Sequence, residues 1–444
     1  MSVESAGCPP LLGESDQRFL LSLRDHPAAP AYNFECDDLL NAEDLQWVHQ
    51  FEAALAALPP RWKHGQPPDW VPVFARRCLT EVPFYRDYGH SEWSESLPCL
   101  GRTPLRDEPE RLIPEGIDQG PMFIYDTSGT TGTSLNIHGH PVTAACYLPL
   151  LRKAVERHGG KLVGGPQRVS IALVFYQQKT LTYPALSSVL EGAAFVKLNL
   201  HENQWKTPRD RIDYLEAWNP EILSGNPLSL GELARLDVKL QPSAIISTSM
   251  ALLPALRQEL EERFQCPAID FYSMSECRCI ASRSGPGAWG LLAHDVYVEI
   301  LDEKGRLCPP GVRGEITLTG GRNPYLPLLR YRTGDFAAMT WQGDEPLLIG
   351  LEGRAPVKFY RADGSWLNNI DVTGLLADLP LPQFALHQDR DLNLHFRYRG
   401  QTELGETCRE RLLTLFGDSL EVFLESVEPG ELLENKWIAY TSDL

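Results

Sequence analysis

Apolar side chains recur at helical spacing through the first 120 residues of the 444-residue chain, and prolines interrupt the pattern. In residues 38–58 they return every three or four positions until two adjacent prolines follow. Residues 71–79 repeat the pattern over a shorter stretch. This period is typical of a helix with one face on a core, and proline ends a helix because it has no N–H to donate. We therefore predict a mostly helical region over residues 1–120.

From residue 121 to 290, short apolar segments alternate with segments of helical period. The apolar segments predict strands over residues 169–175, 194–200 and 244–247. The segments between them predict helices over residues 142–158, 209–217 and 254–264. Such alternation is typical of a largely parallel sheet covered by helices, so we predict an α/β fold.

After residue 290 the pattern changes to strict alternation of apolar and polar positions, in residues 295–301 and 314–319. These segments predict antiparallel hairpin strands in a small barrel or sheet. From residue 357 onward, a strand at 392–398 and a helix at 407–416 predict a separate α+β unit. We predict a large N-terminal domain over residues 1–354 and a small C-terminal domain over residues 355–444. The large domain comprises a helical region (1–120), an α/β region (121–290) and a β-rich region (291–354).

Composition limits the classes of partner and the cellular compartment that we expect for the protein. Acidic residues outnumber basic ones by 59 to 41, a formal charge of −18, whereas a nucleic-acid partner would require a basic surface. No apolar run approaches the ~20 residues that cross a bilayer, and the N-terminus lacks the pattern of a secretory signal. We therefore expect no nucleic-acid partner and no membrane partner. Ten cysteines without C-x-x-C spacing fit reduced thiols in the cytoplasm. A zinc site would need a set with no standard spacing: Cys277, Cys279, His294 and Cys308.

Residues 125–134 (YDTSGTTGTS) combine many hydroxyl side chains with two glycines, directly after an apolar run. Small side chains leave backbone N–H groups accessible to phosphate oxygens. The segment lacks the lysine of the common phosphate-binding loop. It predicts either a phosphate-binding loop of another kind or a Ser/Thr/Gly-rich surface turn.

Further candidate chemistry follows downstream. Residues 270–277 place an aromatic ring, a hydroxyl and a carboxylate together, which suits a purine base and a magnesium ion, although an ordinary strand-to-loop transition has the same composition. Asp335 follows Thr-Gly in a predicted loop and could bind ribose hydroxyls or form an Asx turn. An anionic substrate would need local positive charge, for which the arginines of 329–332 are candidates. Lys436 lies in a polar segment, where a lysine is usually only solvated.

In their order, these segments resemble the adenylate-forming superfamily, which includes acyl-CoA synthetases, luciferases and the adenylation domains of peptide synthetases. The nearest branch is the phenylacetate–CoA ligase-like one. The matching segments are residues 82–85 (VPFY), 125–134, 225–229 (GNPLS), 271–276 (FYSMSE), 294–299, 330–335 (RYRTGD) and 353–354. The resemblance runs from about residue 80 to the C-terminus and depends on the order and spacing of the motifs together.

The resemblance implies that ATP and Mg²⁺ are cofactors. Ser275 would bond the α-phosphate, Glu276 would bind magnesium, and Lys436 would bridge the α-phosphate and the carboxylate substrate. Such a cation would stabilise the charge that develops during transfer. The β- and γ-phosphates would be held by the loop residues Ser128, Gly129, Thr130, Thr131 and Gly132.

Other roles implied by the resemblance concern the nucleoside and the acid. Tyr272 would stack on adenine, and Asp335 would bind the ribose with Arg354 beside it. The C-terminal domain would be a mobile lid. By position, an aryl or medium apolar carboxylate would be bound by Phe175, Tyr176, Gly225, Ser249 and Phe271, although each of these could equally be a core side chain.

The chain also departs from the family pattern. Ser134 replaces a usual proline, Ser273 replaces a glycine, and Asn435 precedes Lys436 where glycine is typical. Pro356 occupies the position at which the C-terminal domain would pivot, and proline fixes φ where a hinge needs freedom. We hypothesise that the swing is restricted and that the second half-reaction is not ordinary CoA thioesterification.

These observations predict an AMP-forming ligase that makes an acyl-adenylate and passes the acyl group to a thiol, on CoA or a carrier protein, or to an amine. The alternative is a homologue that binds nucleotide or acyl groups and has lost turnover. The sequence leaves the identity of the acid, the acceptor and the oligomeric state open, a homodimer included.

Overall fold

The computed structural model describes residues 11–126, 135–177, 180–353, 357–376, 378–381, 383–427 and 440–444. Its N-terminal part is helical, as predicted. The elements are α1 (Glu14–Arg24), α2 (Ala42–Ala57), α3 (Trp70–Glu81), α4 (Pro83–Arg86), α5 (Arg102–Asp107) and a 3-10 helix at Pro109–Leu112. The helix predicted over 38–58 begins only at residue 42, because the Asn41 side chain accepts hydrogen bonds from the first free N–H groups, those of Glu43 and Asp44.

The middle of the chain alternates strands and helices. Its elements, in order, are β1 (Phe123–Asp126), β2 (Asn136–Gly139), α6 (Pro141–Ala145), α7 (Tyr147–Arg157), β3 (Val169–Phe175), β4 (Tyr183–Ser187), β5 (Ala193–Asn199), a 3-10 helix at Glu202–Gln204, α8 (Asp210–Trp218), β6 (Ile222–Gly225), α9 (Pro227–Arg235), β7 (Ala244–Ser247), α10 (Pro254–Phe264), β8 (Ala268–Met274), β9 (Arg278–Ser284) and β10 (Trp289–Leu291). The helix predicted over 142–158 is two helices, α6 and α7.

The remaining elements begin with long antiparallel strands. They are β11 (Val296–Leu301), β12 (Gly314–Gly320), β13 (Leu328–Gln342), β14 (Glu345–Gly353), β15 (Lys358–Tyr360), β16 (Trp366–Asn368), α11 (Asn369–Leu376), β17 (Gln383–Gln388), β18 (Leu394–Arg399), α12 (Thr402–Phe416), β19 (Val422–Val427) and β20 (Tyr440–Ser442).

One twelve-stranded sheet runs through the molecule, in the order β11-β12-β13-β14-β10-β9-β8-β7-β6-β3-β5-β4. Strands β5, β3, β6, β7 and β8 are parallel neighbours, which confirms the α/β prediction. The direction reverses between β8 and β9, and β11 to β14 continue antiparallel. The hairpin strands predicted after residue 290 therefore extend the same sheet and do not form a separate barrel.

The parallel strands read as unbroken apolar runs because both faces of this part of the sheet are covered. Strands β6 and β7 are buried along their whole length. One face packs against α1, α8, α9 and α10 around residues such as Leu223 and Ile245. The other face packs against α2 and α7 around Ile222, Ile246 and Phe271. Helices on two faces leave the carboxyl ends of these strands available for a site.

Strand β13 corrects one prediction. The segment 330–335 contains turn signals and was expected to be a loop, yet it lies inside this fifteen-residue strand. Arg330 and Gly334 do adopt positive φ angles, of 48° and 79°. The pairing with β12 shifts register between Glu315 and Thr317 and again between Leu318 and Gly320. These irregularities absorb the turn-like residues, so the strand continues past Asp335.

Beyond residue 357 a four-stranded sheet, in the order β19-β18-β17-β20, packs with α11 and α12 around its own apolar core. The predicted helix at 407–416 starts five residues earlier, at Thr402. The domain bounds at 120, 290 and 354 stay predictions. Across the described ranges, none of the helices combines the length and the apolar content that crossing a bilayer requires.

Candidate active site

Tyr272 and Asp335, 63 positions apart in the chain, meet in the folded structure. The Tyr272 hydroxyl donates a hydrogen bond of 2.8 Å to Asp335 Oδ2. Four strand-to-strand steps separate β8 from β13 in the sheet, or ~19 Å if the sheet were flat, so the sheet must curve to allow this contact. Burial and the neighbouring Asp335 carboxylate raise the pKa of Tyr272 well above its ordinary value. The phenol therefore stays protonated and acts as the donor.

Glu276 lies in the turn that joins β8 to β9, and its side chain is buried. Only 4% of the residue is exposed, and its Oε1 accepts a 2.8 Å hydrogen bond from the Tyr331 hydroxyl. Burial, followed by the charge of Glu276, raises the pKa of Tyr331. In the same turn, the Ser275 carbonyl accepts a 2.8 Å bond from the Tyr125 hydroxyl. The motif at 271–276 is thus tied both to the start of the hydroxyl-rich segment and to β13.

Several predicted site residues lie outside the described residues. They are Ser128, Gly129, Thr130, Thr131 and Gly132, together with Arg354, Pro356 and Lys436. Strands β1 and β2, which precede and follow the loop positions, pair antiparallel, with Asp126 opposite Asn136. Asp335 pairs in register with Gly353, the residue before Arg354. The roles of all eight residues stay predictions.

The arginines near residue 330 do not supply free positive charge, contrary to the sequence interpretation. Arg330 forms an ion pair of 3.3 Å with Glu299, and both side chains are only 2% exposed. Arg332 forms an ion pair with Glu315. Both guanidinium groups are neutralised by carboxylates on β11 and β12, so they fix the sheet.

Residues predicted to bind the acid lie at or just beyond the carboxyl ends of parallel strands. The Phe175 ring has the Lys197 ammonium 4.8 Å from its centroid, and the Tyr176 ring lies 5.7 Å from that of His201. Phe271 is buried in the core, with its ring 6.4 Å from that of Tyr147. The strand ends are where open parallel sheets bind ligands.

The other two predicted pocket residues have unusual backbone environments. A Cβ at Gly225 would lie 2.6 Å from Ser229 Oγ and 3.0 Å from the Val174 carbonyl oxygen, so only glycine fits without a shift. Ser249 is exposed and has φ +69°, a left-handed conformation that non-glycine residues rarely adopt. Strained backbone of this kind clusters at functional sites. A role in acid binding stays a prediction for all five residues.

Sequence reasoning identified Glu276, Asp335 and the ring of Tyr272 as site groups, but it gave no role to two tyrosines whose hydroxyls fix the turn around Glu276. Tyr331 bonds Glu276, and Tyr125 bonds the backbone of Ser275. Both tyrosines lie within motifs that had been noticed for other residues. A hydroxyl donor to Glu276 was predictable in principle, because a buried carboxylate requires a donor. Which donor reaches Glu276 depends on the curvature of the sheet.

The cysteines do not form a metal centre in the described part of the chain. No group of three or more His, Cys, Asp or Glu residues there is placed to hold a metal ion. The nine cysteines within the described ranges are free thiols. The set Cys277, Cys279, His294 and Cys308 therefore gains no support as a zinc site.

A family model described as AMP-binding enzyme matches residues 93–323, more than half of the chain. The chain belongs to this AMP-binding enzyme family. The match includes the hydroxyl-rich segment, the β8–β9 turn and Glu276, so it supports the resemblance to adenylate-forming enzymes. Asp335 lies twelve residues beyond its end.

Curated proteins that are similar to this chain match it over part of their length. The phenylacetate-coenzyme A ligase of Pseudomonas putida is 34% identical over 300 residues, 63% of this chain and 64% of the ligase. Protein CapK of Staphylococcus aureus is 21% identical over 276 residues, 60% of this chain and 56% of CapK. The matched segments thus span less than two thirds of either relative.

The fold is shared with a solved acyl-CoA ligase. The crystal structure of 2-hydroxyisobutyryl-CoA ligase in the postadenylation state, in complex with R3-HIB-AMP, superimposes with a TM-score of 0.59. The alignment covers 90% of this chain and 88% of that chain at 16% identity. At this identity the similarity establishes the fold alone, a mixed α/β architecture.

Proposed function

We propose that this protein is an ATP-dependent, AMP-forming ligase. A carboxylate attacks the α-phosphate of ATP, pyrophosphate leaves, and the acyl-adenylate then passes its acyl group to a thiol. The observation that carries this proposal is the 2.8 Å contact between Tyr272 and Asp335. Tyr272 lies four residues before Glu276 in the chain. In an AMP-binding family member, this contact joins the positions expected to bind the base, the ribose and the metal-bound phosphates.

The described side chains suit the nucleoside half of that reaction. Tyr272 would present its ring to the adenine, while its hydroxyl keeps the Asp335 carboxylate fixed for the ribose. Gly353 pairs with Asp335, and a Cβ on Gly353 would be 3.4 Å from Asp335 Oδ1. This pairing supports a role beside the ribose for Arg354, the next residue in the sequence. Ser275 and the loop residues 128–132 would bind the phosphates, and Lys436 would neutralise charge on the α-phosphate and the carboxylate.

A magnesium ion fits the site as a nucleotide-borne ion. Glu276 offers one buried carboxylate, and Tyr331 occupies its Oε1 at 2.8 Å. Mg²⁺ commonly binds through one or two carboxylates plus substrate phosphates and water, so a single glutamate is sufficient. Bound there, the ion would neutralise phosphate charge, while Tyr331 would keep the carboxylate in one orientation.

The acceptor and the acid are the less defined parts of the proposal. The Pseudomonas putida relative is a phenylacetate-coenzyme A ligase, which supports an aryl acid and CoA as the thiol. If Pro356 restricts the swing of the C-terminal domain, the acceptor would be a carrier-protein thiol or an amine. The rate of acyl-CoA formation relative to adenylation tests whether the swing is restricted. A cytoplasmic location and a homodimer also remain proposals.

Carboxylate-dependent exchange of pyrophosphate into ATP tests the function directly. Screened over aryl, aliphatic and amino acids, the protein should support exchange with at least one acid. Lys436→Ala should abolish that exchange while ATP binding, measured by calorimetry, persists. Binding of ATP without exchange for any acid would favour a nucleotide-binding homologue. Full exchange by Lys436→Ala would remove that lysine from the mechanism and leave the family assignment intact.

A further inference from the structure

Arg278 occupies an unusual backbone position beside the proposed site. It is the first residue of β9, two residues after Glu276, and it closes the tight turn opposite Met274. Its φ is +66°, in the left-handed region that a long side chain rarely adopts. Backbone strain of this kind clusters at functional sites, where the surrounding structure holds the residue in place.

The guanidinium of Arg278 has an aromatic neighbour but no acidic one. It lies 4.7 Å from the centroid of the Tyr125 ring. Its Nε, like that of Arg283, is buried and has no hydrogen-bond partner in the described part of the chain. Among the described residues, no carboxylate approaches it within the 4.0 Å that defines the ion pairs of this protein.

Arg283, on the same strand, provides an internal comparison. It also stacks on an aromatic ring, with its guanidinium 4.5 Å from the centroid of Trp289. Unlike Arg278, it pairs with a carboxylate, that of Asp270 at 3.2 Å. Buried Arg330 and Arg322 are likewise paired with carboxylates. Within the ranges that the structure describes, the other arginines of this region are therefore neutralised by carboxylates, whereas Arg278 has no counter-ion.

The neighbours of Arg278 cannot neutralise it either. Burial raises the pKa of Tyr125 and of Tyr147, even though the positive charge of Arg278 lowers both. Burial also raises the pKa of the Cys279 thiol to about 12. These groups are neutral at physiological pH, so a partly buried cation with an unfilled donor remains. Leaving such a group without an anion is costly.

We propose that Arg278 is an anion-binding residue of the active site, whose guanidinium receives an anionic oxygen group of a reactant. Two reactants could carry that group: an acid substrate with a second acidic substituent, or the nucleotide through a phosphate. Both fit its position close to Tyr125, at the start of the hydroxyl-rich segment, and to Tyr147, whose ring lies 6.4 Å from that of Phe271. This inference rests on the proposed function and adds a specificity determinant to it.

The test compares Arg278→Gln with wild type in pyrophosphate exchange, using phenylacetate and the same ring with a second carboxylate. If the acid supplies the anion, the KM for the dicarboxylate rises about 10- to 100-fold, as expected for a lost charged hydrogen bond, while the KM for ATP and for phenylacetate stay constant. If the nucleotide supplies it, the KM for ATP rises with every acid. Arg278→Lys, which keeps the charge, should recover part of either loss.

Arg283→Gln is the matched control, because it removes a stacked arginine from the same strand without removing the uncompensated charge. It should lower the melting temperature and leave every KM unchanged. If Arg278→Gln behaves in the same way, the proposal is wrong and Arg278 is structural.

Calorimetry, which measures the binding of ATP and of the two acids without turnover, distinguishes a failure of the Arg278 proposal from a failure of the proposed function. Should wild type show no exchange with any acid, the ligase proposal fails. Weaker binding of ATP or the dicarboxylate by Arg278→Gln would still support the anion site, and equal binding would overturn it.

Discussion

Removal of the Arg330 side chain should destabilise the protein more than the loss of any surface ion pair. Its guanidinium forms hydrogen bonds to both carboxylate oxygens of Glu299, at 3.3 and 3.4 Å. It also donates to the backbone carbonyls of Glu95, Leu97 and Gly305. The arginine thus connects the segment before α5, the β11–β12 hairpin and β13. Arg330→Met keeps much of the side-chain volume and removes all of these donors.

The expected loss follows from the charge that remains. Glu299 is 3% exposed, so its carboxylate would be left buried without a cation. Breaking a buried pair in this way costs about 3–5 kcal/mol, because the second ion keeps its desolvation penalty. Domains are stable by only about 5–15 kcal/mol. Arg330→Met should therefore lose a large fraction of the free energy of unfolding.

Urea unfolding followed by tryptophan fluorescence measures this loss at two pH values. Burial raises the pKa of Glu299 above its ordinary value, although Arg330 lowers it in part. A carboxyl with a raised folded-state pKa destabilises the fold as pH rises through the interval between its unfolded and folded pKa. Without Arg330 that interval widens, so the loss should be larger at pH 7.5 than at pH 4.5.

Two further variants decide whether the reasoning holds. Arg209→Met breaks an exposed pair with Asp213, whose side chains are 58% and 47% exposed, and should change the free energy of unfolding far less, because solvent screens such a pair. Glu299→Met combined with Arg330→Met removes both charges and should recover part of the loss. A cost for Arg330→Met no greater than that of Arg209→Met, or equal losses at both pH values, would refute the buried-charge argument.

Two variants test the site itself. Tyr272→Phe keeps the ring but removes the 2.8 Å hydrogen bond to Asp335. The KM for ATP should therefore rise roughly tenfold, with little change in kcat. An unchanged KM would mean that Asp335 does not need this hydrogen bond. Tyr331→Phe removes the 2.8 Å donor to Glu276 and should raise the Mg²⁺ concentration needed for half-maximal exchange, with the KM for the acid as an internal control. If the magnesium dependence does not change, Glu276 is not the metal-binding group.

The parallel half of the sheet was predictable because each strand is buried on both faces. Val169–Phe175 and Ala244–Ser247 match the predicted strands residue for residue, as Pro254–Phe264 matches the predicted helix. Their apolar runs leave little choice of register or of end.

The antiparallel half was harder to predict. Arg330 and Gly334 adopt the positive φ of turn residues, but hydrogen bonds hold both within β13. The Arg330 N–H donates to Thr319 Oγ1 and the Gly334 N–H donates to Glu315 Oε1, both on β12. The candidate site was predictable as a set of motifs, because Glu276 and Asp335 fall in recognisable segments. The contacts that join them depend on tyrosines brought in by the curvature of the sheet, which no local pattern encodes.

The buried free cysteines can report the local opening of the cores in which they lie. Cys78 and Cys277 lie in the core beneath the antiparallel strands, Cys146 and Cys279 in the core between α7 and the parallel strands, and Cys408 in the C-terminal core. A thiol-alkylating reagent can reach each of them only when its own core opens. Peptide mass spectrometry after brief alkylation at increasing temperature would therefore rank the opening of these three cores in one native chain, with no introduced label.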